Sequence, residues 1–181
     1  MGHYPHSIFM LTLSLLLILA TNLSAQPAND DCIGAMTITE GITPFDNLTA
    51  TDSGIPTDAN LCQGSFLGTA TRDVWFSYTA PENGYIDVTT CPAGFDTDLV
   101  IYDGDCTNLE QLSCNGDACF GFASTISDQS VDPGVTYLIR VGGFNGATGS
   151  GNLEITLTPA NDPEDCGVQG DEDFDGLADC A

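Results

Sequence analysis

Apolar and polar residues alternate along most of the chain, and the alternation has a period of two. In residues 74–78 (VWFSY), Val74, Phe76 and Tyr78 share one face. In 85–90 (YIDVTT), Ile86 and Val88 face away from Tyr85 and Asp87. In 135–141, Val135, Tyr137, Ile139 and Val141 alternate with Thr136, Leu138 and Arg140, and in 152–158 Leu153, Ile155 and Leu157 alternate with polar partners. Residues 98–102 (DLVIY) are mostly apolar, as in a strand covered on both faces, and 36–40 (MTITE) reads as a short strand. Turn clusters at 81–84 (PENG) and 132–134 (DPG) separate these runs, while 41–68 reads as loop. No window after the N-terminal segment carries a helical period. Strands with one apolar face need a second sheet to cover them, so the pattern predicts an all-β, antiparallel β-sandwich.

Two segments break the pattern. Residues 8–20 (IFMLTLSLLLILA) are uncharged and apolar, shorter than the ~20 residues of a membrane span. With Leu23-Ser24-Ala25 after them they read as a signal peptide, residues 1–25, cut before Gln26, although the leading MGHYPHS lacks Lys and Arg. From 160 to 181 the chain is acidic, glycine-rich and poor in anything to bury, an irregular appendage to a sandwich domain at 26–159.

Composition narrows the function. Acidic residues number 26 against 2 basic, a formal net charge of -24, which excludes nucleic acid and anionic membranes as partners. The chain has no lysine, and both histidines, His3 and His6, precede the expected cut. That removes Ser-His-Asp and Cys-His nucleophiles, Schiff-base lysines and histidine-ligated zinc. Arg72 and Arg140 are expected in ion pairs.

The 8 cysteines, Cys32, Cys62, Cys91, Cys106, Cys114, Cys119, Cys166 and Cys180, read as disulfides of an exported protein. Connectivity is not fixed by spacing. Position along the chain suggests Cys32 with Cys62 and Cys166 with Cys180, leaving the middle four to pair among themselves.

Five strings then occur in order: Asn29-Asp30-Asp31-Cys32, 73–81 (DVWFSYTAP), 95–104 (FDTDLVIYDG), 114–117 (CNGD) and 137–144 (YLIRVGGF). Together, over about 29–159, they resemble the bacterial pre-peptidase C-terminal domain family. The pattern departs at Asn115-Gly116-Asp117, where the family resemblance leads one to expect a second carboxylate. The resemblance implies a secreted, jelly-roll-like β-sandwich without a catalytic centre, carried on larger exported proteins. Some such domains bind calcium and some bind extracellular polymers such as collagen.

The sharpest local motif is 171–179 (DEDFDGLAD). Asp171, Asp173 and Asp175, a glycine at 176, the Leu177 carbonyl and Asp179 match the opening of a calcium loop, whose hard cation takes 6–8 oxygens. It resembles the calcium repeats of thrombospondin type 3 and dockerin segments, and its last ligand would fall beyond Ala181, as in a piece of a longer protein. A second, weaker calcium candidate is Asp96, Asp98, Asp103 and Asp117, with Asp105 nearby. Trp75, Tyr85, Tyr102, Phe120, Phe122 and Phe144 are the aromatics available to stack on a carbohydrate. Trp75 and Tyr102 are expected in the core, and Phe120, Phe122 and Phe144, in glycine-rich loops, are the ligand-surface candidates. Residues 142–151 read as a hairpin loop, not a phosphate cradle, and Asn47-Leu48-Thr49 is a formal glycosylation sequon.

The expected function is a non-catalytic, secreted or cell-surface module, calcium-stabilised, that attaches a larger protein to an extracellular protein or polysaccharide or packs on its neighbouring domains. The alternatives are a small secreted glycoside hydrolase using two of Asp87, Asp96, Asp98 and Asp103, and a structural spacer.

Overall fold

A computed structural model describes residues 25–64 and 68–160. The expected leader and the acidic tail, with Cys166, Cys180 and the 171–179 motif, lie outside the described residues. Among the described residues nine strands form two sheets: β1 (Met36–Ile38), β2 (Gly41–Asp46), β3 (Thr71–Thr79), β4 (Gly84–Thr89), β5 (Thr97–Asp105), β6 (Asn108–Asn115), β7 (Thr125–Val131), β8 (Thr136–Gly143) and β9 (Ser150–Pro159). The five-stranded sheet has the order β1-β3-β8-β5-β6 and the four-stranded sheet β2-β9-β4-β7. From β2 onward, consecutive strands alternate between the sheets except for the β5–β6 hairpin, which is the wrapped path of a jelly roll. Every pairing is antiparallel except that of β1 with β3.

The period-two faces meet between the sheets. Val74, Phe76, Tyr78, Leu99, Ile101, Ile139 and Val141 from the first sheet pack on Ile86, Val88, Ile126, Leu153 and Ile155 from the second. The residues between them on the first sheet are buried too. Trp75, Val100, Tyr102 and Leu138 form a second cluster on its outer face, with Ile55 and Cys62 packed against it. The strap at 47–64 supplies that cover, which explains why 98–102 is apolar on both faces.

Three strands were not legible as strands. β2 lies inside the stretch read as loop, and Pro44 sits within it, tolerated because β2 is an edge strand. β6 and β7 are also edge strands with mixed polar sequences. The stretch expected to be a hairpin loop before β9 is instead a crossing between sheets, since β8 and β9 belong to different ones.

Among the described residues three disulfides are formed: Cys32–Cys106, Cys62–Cys114 and Cys91–Cys119. The expected Cys32–Cys62 pair is therefore corrected. Cys32 and Cys62 each reach a cysteine of the β5–β6 region instead, because both the N-terminal segment and the strap lie across the outer face of that sheet. Such crosslinks fit an oxidising compartment. Among the described residues no helix is long and apolar enough to cross a membrane.

Candidate functional site

Strand directions sort the connections onto two ends. The β2–β3, β4–β5, β6–β7 and β8–β9 connections gather at one end, here the loop end; the short β3–β4, β5–β6 and β7–β8 turns occupy the other. Asp96, Asp98, Asp117, Phe120, Phe122 and Phe144 all fall at the loop end. Asp103 and Asp105 lie at the far end of β5, roughly 16 and 23 Å along the strand from Asp98 at about 3.3 Å per residue.

The loop end is held by buried polar side chains. Asp98 is fully buried and accepts from the Gly68 and Ala70 N–H groups at 3.0 and 2.9 Å. Burial raises its pKa and the Asp117 charge adds to this, while the two N–H donors and Arg140 pull the other way. Asp96 is also raised, by burial first and then by the charges of Asp117 and Asp98. A side chain at Gly68 would strike both the Asp98 carboxylate and the Phe144 ring, so glycine lets the three close on one another. Asn47 is fully buried: its Nδ2 donates to the Arg72 and Ala147 carbonyls and its Oδ1 accepts from Gly149 N–H. The sequon asparagine is thus a staple between two loops, inaccessible in the folded chain. Thr90, Thr97 and Ser124 form a further buried hydroxyl cluster beneath the β6–β7 loop.

Arg140 and Asp73 make a fully buried ion pair, Nε to Oδ2 at 2.7 Å. Nη1 of Arg140 donates to the Ile55 carbonyl and, at 3.4 Å, to the Tyr102 hydroxyl, and Nη2 to the Ala70 carbonyl. Asp73 also accepts from Trp75 Nε1 and from Ser53 N–H. Trp75 and Tyr102 stack at 5.6 Å in the core, as expected from the sequence. Among the described residues Arg72 makes no ion pair; its backbone N–H donates to Asp52.

The aromatic candidates separate cleanly. Phe120 is 100% exposed and Phe122 61% exposed, on a loop tied down by Cys91–Cys119. Phe122 adopts a φ of 63, a left-handed conformation that non-glycine residues rarely take, and its carbonyl accepts from Thr97 N–H. Phe144 is half-buried. Tyr85 is half-exposed on the outer face of the four-stranded sheet, away from the loops.

Three of the four acids named for a hydrolase stand apart or are already bonded. Asp87 lies on the same outer face as Tyr85 and accepts from Asp128 N–H, Asp103 is at the turn end, and both oxygens of Asp98 are taken by backbone N–H groups. Among the described residues no three His, Cys, Asp or Glu side chains gather closely enough to hold a metal ion.

A family model described as galactose binding domain-like, in a T9SS-associated form, matches residues 28–155. That is nearly the stretch, about 29–159, whose strings resemble the pre-peptidase C-terminal domain family. Among solved structures, the pre-peptidase C-terminal domain of a collagenase from Bacillus anthracis is 14% identical, covers 67% of this chain and 94% of its own, and superposes with a TM-score of 0.42. No curated protein matches the sequence.

Proposed function

The chain belongs to the galactose binding domain-like family, and from that membership we propose that it is a non-catalytic module of a larger extracellular or cell-surface protein. It attaches its parent to an extracellular polymer, protein or polysaccharide, through the loop end. The observation that carries this reading is the pair Phe120 and Phe122, exposed on a loop that a disulfide and a bond to Thr97 hold in place. Exposed aromatics on a rigid support are what a stacking or docking contact requires, since little side-chain entropy is lost on binding. The charge of -24 turns the module away from anionic polymers and towards neutral or basic ones.

Calcium is part of the proposal at the tail, on the oxygen spacing of Asp171, Asp173, Asp175, the Leu177 carbonyl and Asp179. Calcium bound to the native chain raises the unfolding midpoint in proportion to the logarithm of its concentration. A midpoint unchanged between EDTA and excess calcium removes that component.

The test of attachment is retention on insoluble galactan and on fibrillar collagen, comparing the wild-type chain with Phe120→Ser/Phe122→Ser. Retention by the wild type that the double variant loses, at unchanged unfolding midpoint, supports the reading. No retention on either polymer favours the spacer alternative.

A further inference from the structure

We propose that the free edge of β1 takes an extended segment of a partner protein as an added strand. An apolar side chain of that segment sits in the groove between β1 and β2, with basic residues on either side of it. The groove is a cavity of about 380 Å³ where the two sheets end side by side. Neither Phe120 nor Phe122 lines it, so the inference stands or falls independently of the loop-end reading.

The two sides of the sandwich differ. On one, β6 and β7 are fastened together: Ser113 Oγ donates to Gln129 Oε1 at 2.6 Å and Thr125 N–H to Asn115 Oδ1 at 3.1 Å, while Cys62 lies along β6, bonded to Cys114. On the other, among the described residues, β1 pairs with β3 alone and β2 with β9 alone. Pro44 takes a donor away from β2, whereas β1 has no proline. The parity of the ladder shows what the β1 edge presents. Trp75 turns both its N–H and its C=O to Asn29, at 2.8 and 3.0 Å, so the odd residues of β3 face the β1 side. Ser77 is then bonded to the Met36 carbonyl and the Ile38 N–H, as a parallel pair requires. Thr37 sits between them, and its N–H and C=O point away from the sheet. A donor and an acceptor on one residue of a free edge are completed by another polypeptide backbone.

The groove beside that edge selects the side chains. Ile38 packs in the core, so Met36, two residues before it, faces the same way and stands in the groove wall, 43% exposed. Phe45 and Phe76 meet edge to face at 6.4 Å behind it, and Pro44 completes an apolar lining. An edge of one short strand supplies few backbone bonds, so burial of an apolar side chain here carries much of the contact. Charge selects what flanks it. Asp46 lines the groove and Glu40 joins β1 to β2, both exposed, and among the described residues neither arginine borders it. A second copy of the chain carries the same charge of -24 and is repelled, whereas a segment with Lys or Arg is drawn in.

The probe is a phage-displayed library of random decapeptides panned on the full, oxidised chain. The most enriched sequence is then synthesised, titrated into that chain and followed by amide NMR. The proposal expects an enriched pattern of an apolar residue between Lys or Arg residues, and saturable shifts at Met36, Thr37, Ile38 and Phe45 that weaken with added salt. Thr37→Pro removes the outward N–H and leaves the bonds of Met36 and Ile38 to β3 in place. It weakens binding roughly tenfold while the unfolding midpoint holds. Thr37→Val, which keeps that N–H, binds within about twofold of wild type. Met36→Arg sets a charge like the peptide's in the groove and abolishes binding; it keeps the backbone of β1, and so decides the matter if Thr37→Pro does not fold. Binding that survives Met36→Arg, or survives Thr37→Pro in a folded chain, overturns the proposal. So do a library without an enriched sequence, enriched peptides that are acidic, and shifts confined to residues 118–122. Self-association of the chain, seen by sedimentation and lost in Thr37→Pro, makes a second copy the occupant and overturns it as well. Phe120→Ser/Phe122→Ser, the test of the loop-end reading, leaves peptide binding intact, so the two readings fail separately.

Discussion

The two ends of the sandwich are built on different principles. At the turn end, short connections close β3–β4, β5–β6 and β7–β8, and the turns are pinned mostly by local contacts, although Tyr78 reaches Glu40 and Thr79 pairs with Thr136 on β8. Asp105 accepts from Thr107 and Asn108 within its own turn, and Tyr137 bonds the Asp132 N–H. At the loop end, buried polar side chains bond to groups of the long connections and of other strands far away in sequence: Asp98 to the Gly68 and Ala70 N–H groups, Asn47 to the backbone of Arg72, Ala147 and Gly149, and Asp73 to the Ser53 N–H and the Arg140 guanidinium. Chains of that length do not hold a shape through turn geometry. They are fixed here by buried acceptors, which is a way to keep irregular backbone rigid without secondary structure. A rigid loop end suits a binding surface, and a simple turn end suits a scaffold.

The largest effect on this contrast comes from Asp73 and Arg140. Asp73→Asn or Arg140→Met leaves an uncompensated buried charge or breaks its network, and costs about 3–5 kcal/mol in denaturant unfolding. Replacing both by apolar residues costs less than the two single changes summed. Removing Cys91–Cys119 as a Ser pair comes next, at about 2–4 kcal/mol, and also loosens the Phe120–Phe122 loop. Asn47→Ala orphans two carbonyls and one N–H group and costs about 1–3 kcal/mol, read the same way.

A subtler effect is in pH dependence. Burial, with the Asp117 charge added, holds the folded-state pKa of Asp98 above its ordinary value of about 3.9. The native chain therefore keeps the proton after the unfolded chain has lost it. The stability this contributes is fully present below the unfolded pKa and is lost as pH rises through the folded one. Asp96 acts in the same direction. Asp98→Asn should flatten the fall of the unfolding midpoint over that window, and an unchanged profile would place the effect elsewhere. The smallest change belongs to the turn end: Glu82→Ala, on an exposed turn, should shift stability by no more than about 0.5 kcal/mol.

The sequence was readable where burial imposes a pattern on every residue. The five strands β3, β4, β5, β8 and β9, which lie inside their sheets, announced themselves by alternation or by an apolar run. The strands β2, β6 and β7 did not, because an edge strand needs only one covered face and tolerates Pro44 or a run such as TISDQSV. Phe120 and Phe122 could be marked as exposed because glycines flank them in a loop, and Trp75 and Tyr102 as buried because large aromatics within strands usually pack in a core. The roles of Asp73, Asp98 and Asn47 were hidden. Each bonds to backbone amides or carbonyls, which leave no residue-specific trace in the sequence. The pairing of Cys32 and Cys62 was misjudged for a related reason: the strap between them lies flat on a sheet face, and spacing does not show what a loop lies against.

Native-state hydrogen exchange tests most directly whether the loop end is a fixed platform. The amides of Ser53, Gly68, Ala70, Ser124 and Gly149, donated to buried side chains, should exchange nearly as slowly as those within β3 and β8 and far more slowly than those of the turn at 81–83. Exchange at these five positions as fast as at 81–83 would contradict it, and would make the loop end mobile loops around a rigid sandwich.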